Sequence, residues 1–490
     1  MGSHSLAVSQ RVEPDEAQRA APPATSLFAP GRNCWRIAKA ERAAVLVDGA
    51  EYFAALESAL RGARRQILIV GWDFDGRIRL RHDADEDASP PLGPLLRLLV
   101  EARPDLEVRI LVWSVATVHG PGAALPLIFG ADWQDHPRIR LKLDAHHPFY
   151  AAHHQKIVCI DDTIAFSGGM DLTVERWDTP GHRPVDPLRH DPDGEPYTPV
   201  HDIQMAVDGD AARALGDLAR ARWADATGET PPVPVGCAPL WPEGTAPAMT
   251  GVEVAVSRTM PAYRGRPSVE EAAALTADML AAAREAIYIE AQYLTARYVG
   301  DALQRLLEAP TGPDIVIVLT RRSHDLIERV AMGTPRDRLL RRLRAADHAG
   351  RLFVGYPAVC RSDAADDECQ VLVHAKLVIV DDAVLRVGSS NLNNRSVALD
   401  TECDLAVEGR DPATRRAILD LRHRLLAEHL GATPEAVADA VRQEGSLVRA
   451  VQRLNGGPRG LRPFDVPEED KLIDPILGSD VLDPERPFGA

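Results

Sequence analysis

Two segments of the chain carry residue types that could do chemistry together. His154-Gln155-Lys156-Ile157-Val158-Cys159-Ile160-Asp161 and His374-Ala375-Lys376-Leu377-Val378-Ile379-Val380-Asp381 both read H-x-K-x-x-x-x-D. Each opens an apolar strand, where the period of two puts His and Lys on one face. Packing alone gives no reason for an imidazole and an ammonium to point together from the mouth of a buried strand. Lysine usage sharpens the point: the chain has five (Lys39, Lys142, Lys156, Lys376, Lys471) against 51 arginines. Two of the five stand in the repeated segment, so a compact ammonium rather than a guanidinium fork is required there.

Such a set predicts phosphodiester cleavage. One imidazole attacks phosphorus and the other protonates the leaving alkoxide, through a covalent phosphohistidine. The lysines supply positive charge to the non-bridging oxygens. They replace the metal ions of many phosphotransferases, so no metal and no other cofactor is expected. The run His146, His147, His153, His154 lacks a Cys or a matching acid spacing and is not read as a metal site.

Seventeen residues beyond each histidine lie Asp171, in Gly168-Gly169-Met170-Asp171, and Asn391, in Gly388-Ser389-Ser390-Asn391. Small residues after a strand let backbone and short polar side chains approach an anion. Asp202 and Glu402, 200 residues apart, each open a strand of alternating apolar residues. A carboxylate on one ring nitrogen of a histidine fixes its tautomer and stabilises its charged form.

The elements that position these residues recur in the same order. A helix over 48–65, with Asp48 as its N-cap, leads into a strand at 67–70, a helix at 92–103, and strands at 107–113, 138–143 and 157–160. A helix over 268–285 leads into a strand at 287–290, a helix at 299–308, and strands at 315–320, 351–354 and 377–380. The offset is 220 residues as far as the motifs and 200 beyond them. The first half therefore carries about 20 extra residues within Trp177–Val200, expected to gate substrate. The fold class is α/β, as two pseudo-twofold-related α-β-α sandwich halves with the active site at their interface. The expected division is a flexible arm over 1–33, the first half over 34–224, a proline-rich linker over 225–250, the second half over 251–432, and a helix with an extended tail over 433–490.

Composition narrows the class. The 490 residues are 26% charged with a net charge of −16, which argues against non-specific nucleic-acid binding. Six scattered cysteines read as reduced thiols. No run reaches the ~18 apolar residues of a membrane span, and no secretory signal is visible. A cytoplasmic monomer, peripheral at a membrane, is the expectation.

The paired motifs, followed by G-G-x-D and G-S-x-N, resemble the phospholipase D superfamily over about residues 34–430. Gly168-Gly169-Met170-Asp171-Leu172 leading to Arg176-Trp177-Asp178, the His153-His154-Gln155-Lys156 run, His201-Asp202 and Ile287-Tyr288-Ile289-Glu290-Ala291-Gln292-Tyr293 resemble phospholipase D proper. The resemblance implies His154 as nucleophile and His374 as general acid, then base, with Asp202 and Glu402 orienting them. It implies Lys156, Lys376, Asn391 and Ser389 at the phosphate, with Asp171 beside them, and a structural role for Asp161 and Asp381. Ala291 departs from relatives that often carry a polar residue there. The implied activity is hydrolysis of glycerophospholipids, phosphatidylcholine or phosphatidylethanolamine, to phosphatidic acid and free head group, with transphosphatidylation to alcohols. Alternatives are a cardiolipin-synthase-type phosphatidyltransferase, a nuclease of the same family, and a non-catalytic lipid-binding scaffold. Trp113, Trp133, Phe149, Tyr150, Trp177 and Trp241 are candidate linings of a lipid channel or choline pocket.

Overall fold

The computed structural model describes residues 26–82, 88–114, 131–148, 150–321, 326–360, 368–466 and 483–484, with side chains left aside at 326–332. Most of the arm expected over 1–33, Phe149, and much of the tail beyond Asn455 lie outside these residues.

Short aliphatic and β-branched runs become strands, and amphipathic stretches between them become helices. The first half holds β1 (Arg36–Val47), α1 (Asp48–Gly62), β2 (Gln66–Gly71), α2 (Leu92–Ala102), β3 (Glu107–Trp113), β4 (Ile139–Asp144), β5 (Ile157–Ile160), β6 (Ile164–Gly168), β7 (Val200–His201), β8 (Ile203–Asp208) and α3 (Gly209–Thr227). The second holds β9 (Met249–Met260), β10 (Val269–Glu270), α4 (Glu271–Ala282), β11 (Ala286–Ala291), α5 (Arg297–Glu308), β12 (Asp314–Leu319), α6 (Leu326–Ala346), β13 (Leu352–Cys360), β14 (Glu368–Gln370), β15 (Leu372–Val373), β16 (Lys376–Val380), β17 (Val384–Gly388), α7 (Arg395–Ala398) and β18 (Glu402–Glu408). Then come α8 (Pro412–Leu430), α9 (Pro434–Glu444), α10 (Leu447–Leu454) and β19 (Arg459–Pro463).

The strands pair in the order β4-β3-β2-β5-β6-β8-β1-β9-β18-β17-β16-β11-β12-β13, with β14 and β19 on β13. The order reads alike outward from the β1–β9 seam, where Arg36 faces Val256 and Ala43 faces Met249 in antiparallel register. The halves therefore share one sheet. Its central strands β2, β5, β11 and β16 are buried throughout, as strands covered on both faces must be. On one face α3 and α8–α10 close a core that spans both halves. On the other, α1 and α2 cover the first half, and α4, α5 and α6 cover the second.

Four local readings change. Asp48 caps nothing: it is the first residue of α1, at φ 66°, and its carboxylate reaches His201 at 2.9 Å. Helix α6 fills a stretch where none was expected. Within Trp177–Val200 the base is pinned, because Arg189 Nη1 meets Asp178 at 3.0 Å and His182 Nδ1 meets it at 2.9 Å, all three buried. Around this pinned base much of the segment is open, with Val185 77% exposed and residues 192–196 exposed. Residues 26–33 are docked on the second half, where Ser26 Oγ donates to Glu408 and Asn33 Nδ2 to Asp278. Among the described residues no helix is long and apolar enough to cross a membrane.

Candidate active site

Strands β5 and β16 carry the histidine and lysine at one end and the motif aspartate at the other. Asp161 accepts the backbone N–H groups of Arg64, Arg65 and Gln66 at 2.6–2.7 Å, where the chain turns into β2. Asp381 does the same for Arg284, Glu285 and Ala286 at 2.7–2.9 Å, where it turns into β11. Both occupy left-handed conformations, φ 55° and 54°. These acids therefore clamp the entry to each central strand, at the strand end remote from the histidines.

Each histidine meets the acid of the other half. His154 Nδ1 lies 2.9 Å from Glu402 Oε2, and His374 Nδ1 lies 2.7 Å from Asp202 Oδ2. Backbone pairing sets this crossing. β15 runs parallel to β7, and the His374 N–H donates to the His201 carbonyl at 2.8 Å. His153 bridges Thr401 in parallel, and the His154 N–H donates to the Thr401 carbonyl at 3.0 Å. The segment entering each histidine thus lies beside the segment entering the opposite acid. A carboxylate on Nδ1 leaves Nε2 of each ring free for chemistry. The side chains of His154 and His374 keep 16% and 10% exposure, whereas Glu402 and Asp202 are sealed behind them.

The glycine-rich turns lie against buried acids. A Cβ on Gly169 would overlap the Asp202 carboxylate, and one on Gly388 would overlap Asp404. Ser389, expected at the phosphate, is fully buried and donates to Glu402 Oε2 at 2.5 Å. Ser396, missed in the sequence, donates to Glu402 Oε1 at 2.7 Å. Asp171, also expected at the phosphate, pairs with Lys156 Nζ at 2.9 Å and accepts the Trp72 N–H at 2.8 Å, so it holds the lysine. Asn391 keeps its side-chain oxygen buried without a hydrogen-bond partner.

The lysines differ in their partners. Lys156 has the Asp171 carboxylate, whereas Lys376 Nζ donates to the Gln292 amide at 3.0 Å and the His374 carbonyl at 2.6 Å. Burial, against the pull of Asp202, lowers Lys376 to about 7. Burial, then Lys156 and Lys376, holds His154 well below the ordinary imidazole range. Burial, then Lys376, Arg176, Lys156 and His154, does the same to His374. Both lysines thus act on both histidines, and Arg176 acts on His374 and Lys376. The cleft is short of negative charge and able to receive an anion. Glu402 is pushed well up by burial, against the pull of the two serine hydroxyls.

A second buried cluster backs the first. His201 Nδ1 meets Asp48 and Glu428 at 2.9 Å, and its Nε2 meets Glu290 at 2.9 Å. His182 Nε2 meets Glu428 at 3.0 Å, and His429 Nε2 meets Glu290 at 2.8 Å. These acids hold His201 well above its usual range and His182 at about 9, burial opposing them. The separations are hydrogen-bond lengths, so the cluster is read as shared protons within a buried network. It ties α1, β7, β11 and α8 directly beneath Asp202. His153 is likewise buried, with Nδ1 on Asp144 at 2.6 Å. Of the candidate channel aromatics, Trp133 and Trp177 belong to the first-half core, Trp113 stacks on Trp72, and Trp241 lies under Arg42.

Residues 276–419 match the family model described as "Cardiolipin synthase, PLD-like domain". Phospholipase D A of Dictyostelium discoideum is 23% identical over 79% of this chain and 35% of its own length. Phospholipase D of Phytophthora infestans is 32% identical over 29% of this chain and 9% of its own. The chain thus spans about a third or less of the length of these relatives. In fold it is similar to the phosphatidylserine synthase of Haemophilus influenzae Rd KW20, with TM-score 0.51 and 12% identity over 84% of this chain and 95% of that one. The repeated H-x-K-x-x-x-x-D strands, meeting across one sheet, and these likenesses make the chain a member of the phospholipase D superfamily.

Proposed function

We propose that the chain is a phospholipase D-type phosphodiesterase that cleaves glycerophospholipids, phosphatidylcholine or phosphatidylethanolamine, to phosphatidic acid and free head group. The crossed pairing of His154 with Glu402 and His374 with Asp202 is the observation that carries this reading.

With Nδ1–H held by Glu402, the free Nε2 of neutral His154 attacks phosphorus and forms a P–N bond. The P–O bond to the head group breaks, and the alkoxide takes the Nε2 proton of His374. His374 is then neutral, accepts a proton from water, and the hydroxide displaces His154 from phosphorus. Both histidines return to their starting states. Lys156, Lys376 and Asn391 face the non-bridging oxygens, with Lys376 foremost because no carboxylate is committed to it. Asp202 and Glu402 stabilise the imidazolium forms.

A second reading is supported by the family model over 276–419: a phosphatidyltransferase, in which an alcohol replaces water at the second step. One assay separates these readings. Purified protein is given phosphatidylcholine with ethanol in the presence of a chelator, and products are identified. Phosphatidic acid together with phosphatidylethanol is expected. Phosphatidyl products that form only with an alcohol acceptor would select the transferase, and turnover of DNA alone would overturn the lipid reading.

A further inference from the structure

The last described residues of the chain reach back to the site. Asp483 is 5% exposed, and its carboxylate accepts Thr295 Oγ1 at 2.6 Å, Asn394 Nδ2 at 3.1 Å and the Arg395 N–H at 3.0 Å. These partners lie on two loops. One follows β11 and carries Gln292, the partner of Lys376. The other follows β17, carries Asn391 and leads into α7, which holds Ser396. The loops already meet through the Thr295 and Ala296 N–H groups, which donate to the Leu392 carbonyl at 2.8 and 2.9 Å.

The duplication explains why a carboxylate from elsewhere is needed. In the first half the loop after β2 has its own buried acids, Asp73 and Asp75. Thr173 Oγ1, on the opposing loop, donates to Asp73 at 2.8 Å. At the offset of 220 the second half has Tyr293 and Thr295 in their places. Its loop pair lacks an internal carboxylate at these positions, and Asp483 supplies one from the C-terminal segment.

We propose that Asp483 is a positioning residue of the active site, acting on His154 through Ser396 and Glu402. Asp483 fixes the start of α7; α7 places Ser396; Ser396 Oγ accepts the Asn391 N–H at 3.1 Å and donates to Glu402; Glu402 holds His154. Without the clip, Glu402 loses a hydrogen bond to its charged form and keeps its proton to higher pH. The charged and titratable groups around Glu402 are His154, Lys376, Arg386, Arg395, Asp400 and Asp404. Of these groups Asp483 meets Arg395, accepting its backbone N–H and favouring its charge, so its removal changes both the support of Glu402 and the balance at that one neighbour.

The test compares Asp483→Ala, Asp483→Asn and the exposed tail acid Asp465→Ala with the unaltered chain. The kinetic readout rests on the proposed function; amide hydrogen exchange over 391–402 does not. In Asp483→Ala, exchange in that stretch quickens while the β1–β9 seam stays protected. On phosphatidylcholine kcat falls about tenfold or more, the cost of one hydrogen bond to a charged group, with KM within about twofold. The acid limb of the pH profile moves to higher pH, Asp483→Asn recovers part of the loss, and Asp465→Ala changes nothing. If the unaltered chain turns over no phospholipid, the functional reading fails and exchange alone decides this one. Unchanged exchange over 391–402, or a lower kcat with an unmoved acid limb, would overturn the positioning role.

Discussion

Glu402 Oε2 stands 2.9 Å from His154 Nδ1, and the two residues belong to opposite halves of the chain. Its counterpart, Asp202 with His374 at 2.7 Å, crosses in the other direction. Neither motif histidine takes its carboxylate from its own half, so the site exists only when the β1–β9 seam and the β7–β15 and His153–Thr401 pairings have all formed. The duplication is therefore interlocked at its chemical centre.

Removing charge without removing shape isolates what these acids do. Glu402→Gln keeps an acceptor for Nδ1–H and for the serine hydroxyls but cannot balance an imidazolium. Turnover of phosphatidylcholine falls by about 10²- to 10⁴-fold, with circular dichroism unchanged. Asp202→Asn does the same from the other side. A loss under tenfold in either variant would show that the carboxylate charge is not needed.

The depressed proton affinities of His154 and His374 have a kinetic signature. The proposed mechanism needs His154 neutral and His374 protonated in the free chain, and burial and the lysines shift both rings below the ordinary value of about 6.5. The kcat/KM optimum therefore lies on the acid side of about 6.5. Binding of an anionic phosphodiester restores negative charge and raises both affinities, so the kcat optimum lies at higher pH. A kcat/KM profile flat through pH 8 would contradict this.

The strand clamps make a prediction about stability alone. Asp161→Ala frees three backbone N–H groups at the entry to β2, and Asp381→Ala frees three at β11. Each change costs about 2–4 kcal/mol in denaturant unfolding, discounted because several of these donors reach water once released. Where enough folded protein remains, kcat per folded molecule holds, since neither acid faces the cleft.

Much of this architecture is readable from residue type and spacing. Apolar runs such as Ile67–Val70 and Leu377–Val380 fall on β2 and β16 because a strand buried on both faces has no room for polar side chains. The offset of 200 aligns Asp202 with Glu402, but either pairing with the histidines satisfies that spacing; only the parallel backbone bridges make it cross. Ser389 and Asp171 follow strands from which a short side chain can turn to the cleft or to its supports, and packing decides. Arg176, Gln292 and Ser396 have no repeated partner type at the 220 offset, where Ser396, Trp72 and Arg176 stand respectively. Asp483 lies outside every motif.

The network around His201 predicts how stability responds to alkali. The His182 affinity is raised from about 6.5 to about 9, so its contribution is complete below 6.5 and is lost as pH climbs toward 9. At most it is on the order of 3 kcal/mol. Lys376, lowered to about 7, acts in the opposite sense over the same range, so raw stability curves mix the two. The difference between the unaltered chain and His182→Asn separates them. It is largest near pH 6, shrinks steadily by pH 9, and is read from thermal unfolding at fixed ionic strength. A difference that stays constant over that range would mean that His182 is neutral in the folded chain and that Asp178 and Glu428 are balanced by other charges.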